Sequence, residues 1–502
     1  MTFAPLRNIA LILALGLGTA GAVAAQENAG DVATKEYDDG GIYTGTFRNG
    51  KQDGHGKYTL PSGYEYEGSW VAGQIQGEGR ARFPNGSVYE GQFTAGKPDG
   101  TGKITFIDGG TYEGEWSAGE ITGEGTARYA NGTTYKGQFR NARHDGKGVL
   151  TGENGYRYEG DWVNGAKEGQ GKITYPDGAT YEGGMKAGQR DGMGTLTMAD
   201  GLSYTGLWKA GQMNGTGHLT QANGDTYEGA MENGRRNGQG KVTYANGDTY
   251  EGNFAMDRRQ GKGTFRGTDG YVYEGDWVEG RIEGQGKVTY PDGSVYVGAF
   301  VNDLPDGQGK ITYPDGSSYD GQWSAGQIEG KGRATYANGL TYEGDFVNAR
   351  NEGQGRMTYP DGYVYEGSWK GGQRQGQGRA SYADGTVYEG NFENGQRSGK
   401  GRLTMTDGFT YEGDWREGEI DGEGVATYAN GDVYTGHFAQ GKRQGAGVMK
   451  YADGQTAAGS WSDNTLTEAG GEAKPAPDQP AAPAEEAPAP EMATPPASSA
   501  PN

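Results

Sequence analysis

In "YEGSW", Tyr66 to Trp70, an aromatic ring, a glycine and a second ring occupy every other position, with Glu67 and Ser69 between them. Alternation with a period of two predicts a β-strand with one ring-bearing face and one polar face. In "GQGKITY", Gly169 to Tyr175, two glycines lead to Ile173 and Tyr175, while Lys172 and Thr174 point the other way. This predicts a second strand of the same kind. No helical pattern follows the glycine pair. The stretch joining two such strands contains glycine and reads as a loop about six to ten residues beyond the first tyrosine.

The pattern recurs. With the tyrosine of each Tyr-x-Gly triplet as position 0, it returns 18 times from Tyr43 to Tyr434, and every gap is 23 residues. Glycine fills +2, +11, +13 and +20 in all 18 units, and +4 is always Trp, Phe or Met. All nine tryptophans stand at +4: Trp70, Trp116, Trp162, Trp208, Trp277, Trp323, Trp369, Trp415 and Trp461. A partial unit follows, with Ala457 in place of the tyrosine and Gly459 and Trp461 in phase; upstream, Tyr37 and Gly40 also fit the frame.

Successive units join through Tyr-x-Asp/Asn-Gly, as in Tyr313-Pro314-Asp315-Gly316. Pro then Asp suits a type I turn, with the glycine left-handed, as in a three-residue hairpin loop ending in a bulge. A one-residue slip would move every ring to the opposite face, so the fixed loop length is structural. The glycines at +2, +11 and +13 are expected to leave room for tyrosine and tryptophan rings lying flat on the sheet.

This repeat, as in "YEGSWVAGQIQGEGRARFPNG" from Tyr66, resembles the MORN repeat (membrane occupation and recognition nexus), over about Tyr37 to Trp461 and without insertions. The resemblance implies antiparallel hairpins in succession, a role in protein association or membrane attachment, and no catalytic activity. Residues and resemblance lead to one fold class: all-β, an elongated single-layer antiparallel sheet of about 18 consecutive hairpin repeats.

Composition changes the picture at the two ends. Glycine supplies 100 residues and hydrophobic residues only 32%, with 34 tyrosines among them, so several aliphatic cores of ordinary type are excluded. Residues 1–25 carry Arg7 and then "IALILALGLGTAGAVAA", the pattern of an export signal cleaved after Ala25. No cysteine is present to lipidate, pair or bind metal. The expected organisation is a signal at 1–25, a linker at 26–36, the array at 37–467 and a Pro/Ala/Glu-rich tail at 468–502, read as disordered. Export to a periplasm or the cell surface is expected, as for a bacterial exported protein. The formal charge of −21 repels nucleic acid, so none is expected as a partner.

Candidate chemistry is sparse. A phosphate loop occurs once, between a strand and a helix, so Gly-x-Gly repeated in every unit is architecture. His55, His144, His218 and His437 fall at unlike phases, several repeats apart, and read as surface substitutions that form no metal site or catalytic pair. Glutamates at +1, such as Glu343 and Glu366, lie beside Lys or Arg at +14 and read as a solvated, ion-pairing face. The remaining candidate is an interaction stripe formed by the nine tryptophans with Tyr273, Tyr319 and Tyr365. It either packs on itself or also binds a flat apolar surface. The function expected is therefore a non-enzymatic scaffold for protein or envelope-component interaction, without cofactor or metal. Membrane-lipid association and binding of peptidoglycan or polysaccharide by the stripe are the alternatives. Exposed end strands leave self-association open.

Overall fold

The computed structural model describes residues 32–469 and 477–484. The expected signal segment and most of the tail lie outside these residues. The chain divides into two units, Met1–Ala245 and Asn246–Asn502. Among the described residues the first contains 19 strands, from Val32–Glu36 to Arg235–Thr243, and the second 20, from Thr249–Ala255 to Thr465–Ala469. Among the described residues there is no helix, and hence none long and apolar enough to cross a membrane. Within each unit the strands pair antiparallel with their chain neighbours, as in Ser318–Ser324 with the strands on either side. The fold is the all-β array of antiparallel hairpins that the 23-residue period predicts.

The repeat at Tyr319 shows how the sequence sets each element. Ser318–Ser324 and Gln327–Thr335 are joined by two residues, Ala325 and Gly326, at φ 47° and 83°. Positive φ at both central residues is the primed turn that matches the right-handed twist of the strands. The anticipated loop over +6 to +10 is thus a two-residue turn, and the second strand begins at +8. The extra residues sit in a bulge: Gly321 faces Gly332 and Trp323 faces Ile328, with the register shifting between. Gly330, at +11, takes φ 69° in that bulge. Its role is backbone conformation, which corrects its expected place under the rings.

The link to the next repeat forms as expected. Tyr313 N–H donates to Ser317 C=O (2.9 Å), Gly316 N–H donates to Tyr313 C=O (3.0 Å), and Gly316 has φ 86°. Val32–Glu36, within the stretch read as a linker, is also a strand and pairs with the strand carrying Tyr43.

A single sheet has no second layer to cover its apolar face, so side chains supply one. A Cβ on Gly321 would lie 2.5 Å from the Tyr319 hydroxyl, and one on Gly332 would collide with the Tyr319 ring. With both positions bare, the ring lies flat along the sheet. In all 18 repeats the hydroxyl then donates to the backbone carbonyl at +3, at 2.7–3.2 Å. Burial raises the Tyr319 phenol above its ordinary pKa, so it stays a protonated donor at neutral pH.

Candidate functional site

The stripe residues lie inside this side-chain layer. Tyr273, Tyr319 and Tyr365 are 0% exposed, and the nine tryptophans are 1–5% exposed. Each indole Nε1 donates to the +13 glycine carbonyl of the preceding repeat, at 2.9–3.3 Å. Trp323 also meets Tyr319 and Tyr296 edge-on, at 5.6 and 5.2 Å between centroids. Each ring thus joins two repeats, which stabilises an array held by nearest-neighbour contacts. In this structure the stripe offers no ring face to solvent.

A second row, at +9, also points into the ring face. Sequence reasoning placed it in a polar loop. In many repeats it is apolar, as with Ile75, Ile121, Ile282, Ile328 and Ile420, all buried. Elsewhere it is Gln52, Asn351, His144, Lys167 or an arginine, and the histidine, the lysine and the arginines sit over rings. His144 stacks on Tyr135 at 3.6 Å and 12°, and hydrogen-bonds the Tyr129 hydroxyl at 2.7 Å. It is 6% exposed, which corrects its reading as a surface substitution. Burial pulls its pKa down from 6.5 to about 4. Lys167 lies 4.6 Å from the Tyr156 ring centroid and is lowered to about 8 by burial. The recurrence of Ile at +9, in a stretch otherwise polar, was the signal that this position faces inward.

Four of the six arginines in the row follow one design. Arg190, Arg259, Arg397 and Arg443 stack on the tryptophan of the following repeat, at 4.1, 4.4, 4.9 and 5.0 Å. Arg190 and Arg397 each donate from Nη2 to the turn-glycine carbonyl of the next repeat, Gly211 and Gly418, both at 2.9 Å. A guanidinium is planar and holds several donors in a fixed fork, so it can stack on a ring and still donate outward.

The opposite face is polar, as the alternation predicts. Glu389 and Arg379 pair at 3.0 Å, and Lys331 at +12 reaches Asp345 at 2.8 Å. Arg379, Glu389 and Lys331 are exposed and Asp345 is half-buried, so the pairs add little stability. Among the described residues no cluster of His, Cys, Asp or Glu could hold a metal ion. In the first unit a concavity of about 750 Å³ opens where Gly152 stands at +17 in place of a ring, beside Tyr156 and Lys167.

The MORN repeat profile matches 18 segments, from residues 43–63 to 434–456, and so covers most of the sequence. The chain belongs to the MORN-repeat family. No curated protein matches it. Among solved structures it is similar to the SAS-4 TCP domain of Drosophila melanogaster in complex with a proline-rich motif of Ana2. That pair is 18% identical, covering 31% of this chain and 85% of that one, with a TM-score of 0.21. The TCP10c domain of Drosophila Sas-4 is 11% identical, covering 39% and 97%, at a TM-score of 0.19. A streptogramin B lyase is 15% identical, covering 56% and 87%, at 0.11. At these scores the likenesses carry no conclusion about this chain.

Proposed function

We propose that this protein is a non-enzymatic repeat scaffold, exported to a periplasm or the cell surface, that binds proteins or other envelope components. What supports the reading is where the repeats differ. The rings and glycines that stay constant are absorbed in the sheet and its covering layer. The positions that vary, above all +9 and the polar face, form rows along the repeats of each unit, which suits binding by many weak contacts in register. The buried state of the tryptophans weighs against lipid or sugar binding by ring insertion. Removal of residues 1–25 takes Arg7 and leaves a charge of −22, from −21 less one, which disfavours anionic bilayers.

The test is capture from envelope extract on immobilised residues 26–502, with co-sedimentation on anionic and zwitterionic liposomes beside it. Retention of a defined protein or glycan near physiological salt, with negligible liposome binding, is expected. Tight co-sedimentation without protein capture would replace this reading with a lipid-binding one.

A further inference from the structure

Part of the proline-rich tail, Pro477 to Ala484, lies along the +9 row of the last repeats. Arg443 donates from Nη1 to the Tyr428 hydroxyl (2.6 Å) and from Nη2 to the Asn464 carbonyl (3.0 Å) and the Pro477 carbonyl (3.1 Å). Arg397 donates from Nη2 to the Pro483 carbonyl at 2.7 Å, beside its bond to Gly418. Between them, the Tyr428 hydroxyl donates to Gln479 Oε1 at 3.0 Å. The segment runs opposite to the order of the repeats.

The spacing shows why this sequence fits. Arg397 and Arg443 are 46 residues apart, which is two repeats. Four strand spacings of about 4.8 Å place them about 19 Å apart. Pro477 and Pro483 are six residues apart. At about 3.1 Å per residue, six residues of polyproline II also span about 19 Å. One three-residue turn of the ligand therefore matches one repeat of the lattice. Pro477, Pro480 and Pro483 recur at that period. Exposure follows it too: Asp478, Ala481 and Ala484 are exposed and the residues between them are half-buried. Proline donates no backbone N–H but leaves its carbonyl free, and outward-donating guanidinium groups are the complement of such a ligand.

We propose that the arginine-bearing row of the last repeats is a groove for proline-rich segments with a three-residue period, and that residues 477–484 are its resident ligand, bound in cis. A proline-rich segment of a partner enters by displacing the tail, which makes the tail a gate on this part of the scaffold. Only that last step rests on the scaffold reading above; the tail contact is a property of the chain alone and is tested without any partner.

The sequence has no cysteine, so Ala481→Cys in the full chain gives a single site for a spin label, at an exposed position. The label should be immobilised relative to the same label on a free peptide of residues 475–486. Arg397→Ile with Arg443→Ile should release it, with a rotational correlation time at least threefold shorter. Isoleucine is chosen because it stands at +9 in other repeats, as Ile328 and Ile420, and so is compatible with folding. Pro477→Gly, Pro480→Gly and Pro483→Gly together should also release it, without touching the array. Excess unlabelled peptide of residues 475–486 should do the same to the parent chain. A label as mobile as on the free peptide, or indifferent to both sets of substitutions, would overturn the groove. Release on hundredfold dilution would overturn binding in cis. Absence of competition by the peptide would overturn displacement by a partner.

Discussion

The repeats at Tyr319 and at Tyr388 share a frame and differ in what they present. Each tyrosine donates to the carbonyl at +3, at 3.0 and 2.9 Å, over a pair of facing glycines. Each second strand carries the same bulge. At +9 the first has Ile328, facing Trp323, and the second has Arg397, facing Phe392. Ile328 is fully buried and closes the ring face with methyl groups. Arg397 is also buried, yet turns donors toward the Gly418 and Pro483 carbonyls. The constant positions fix the lattice, and one variable inward position decides whether the face is sealed or can accept an extended chain.

The largest effect should come from breaking what the two repeats share. Gly332→Ala and Gly401→Ala each drive a methyl group into the tyrosine ring of their own repeat. Each should destabilise its hairpin by about 3 kcal/mol, the upper end for overpacking. Hydrogen exchange read hairpin by hairpin should show equal loss at both sites. Unchanged protection would mean that the rings do not need bare glycines beneath them.

An effect that reaches a similar size only at acid pH should set one polar +9 residue apart from the apolar ones. Folded His144 titrates near 4 against 6.5 for the ordinary group, so between these values the unfolded chain binds more protons. Its hairpin should be fully stable above pH 6.5 and lose up to about 3 kcal/mol as the pH falls to 4, from 1.36 kcal/mol per unit. Exchange of the strands around Phe139 and His144 should follow this curve, and His144→Ile should flatten it there. An unaltered curve in the variant would assign the pH dependence to other groups.

The smallest effect should lie on the polar face. Lys331→Met removes the Asp345 ion pair at a largely exposed lysine and should change stability by less than about 0.5 kcal/mol. A larger loss, measured the same way, would give that face a part in holding the lattice that the comparison denies it.

Much of this was legible in the residues. The 23-residue period, Tyr-Gly-Trp alternation and the Tyr-x-Asp/Asn-Gly turn led to hairpins with rings on one face, and both turn and facing are found. The glycines at +2 and +13 lie against rings as expected. Three features were hidden. The primed turn is carried by residues such as Ala325, whose side chain does not signal φ of 47°. The inward +9 position fell in the stretch read as a loop between the strands, so His144 read as a surface substitution and nothing placed Arg397 on the ring face. The tail contact joins residues 86 apart in the chain, Arg397 and Pro483, and no local pattern encodes such a pair.

A hairpin lattice and a proline helix are two rulers laid edge to edge. One is marked about every 9.6 Å, two strand spacings, and the other about every 9.3 Å, three residues of polyproline II. The marks slip by about 0.3 Å per repeat, and a hydrogen bond tolerates only a few tenths of an ångström before it weakens. Like a vernier, the pair coincides over two or three divisions and then falls out of step. The two arginines that hold the tail stand two divisions apart. A long array of this kind therefore reads proline-rich chains in short words, and lengthening the ligand adds affinity only if it can bend or skip to find the next coincidence.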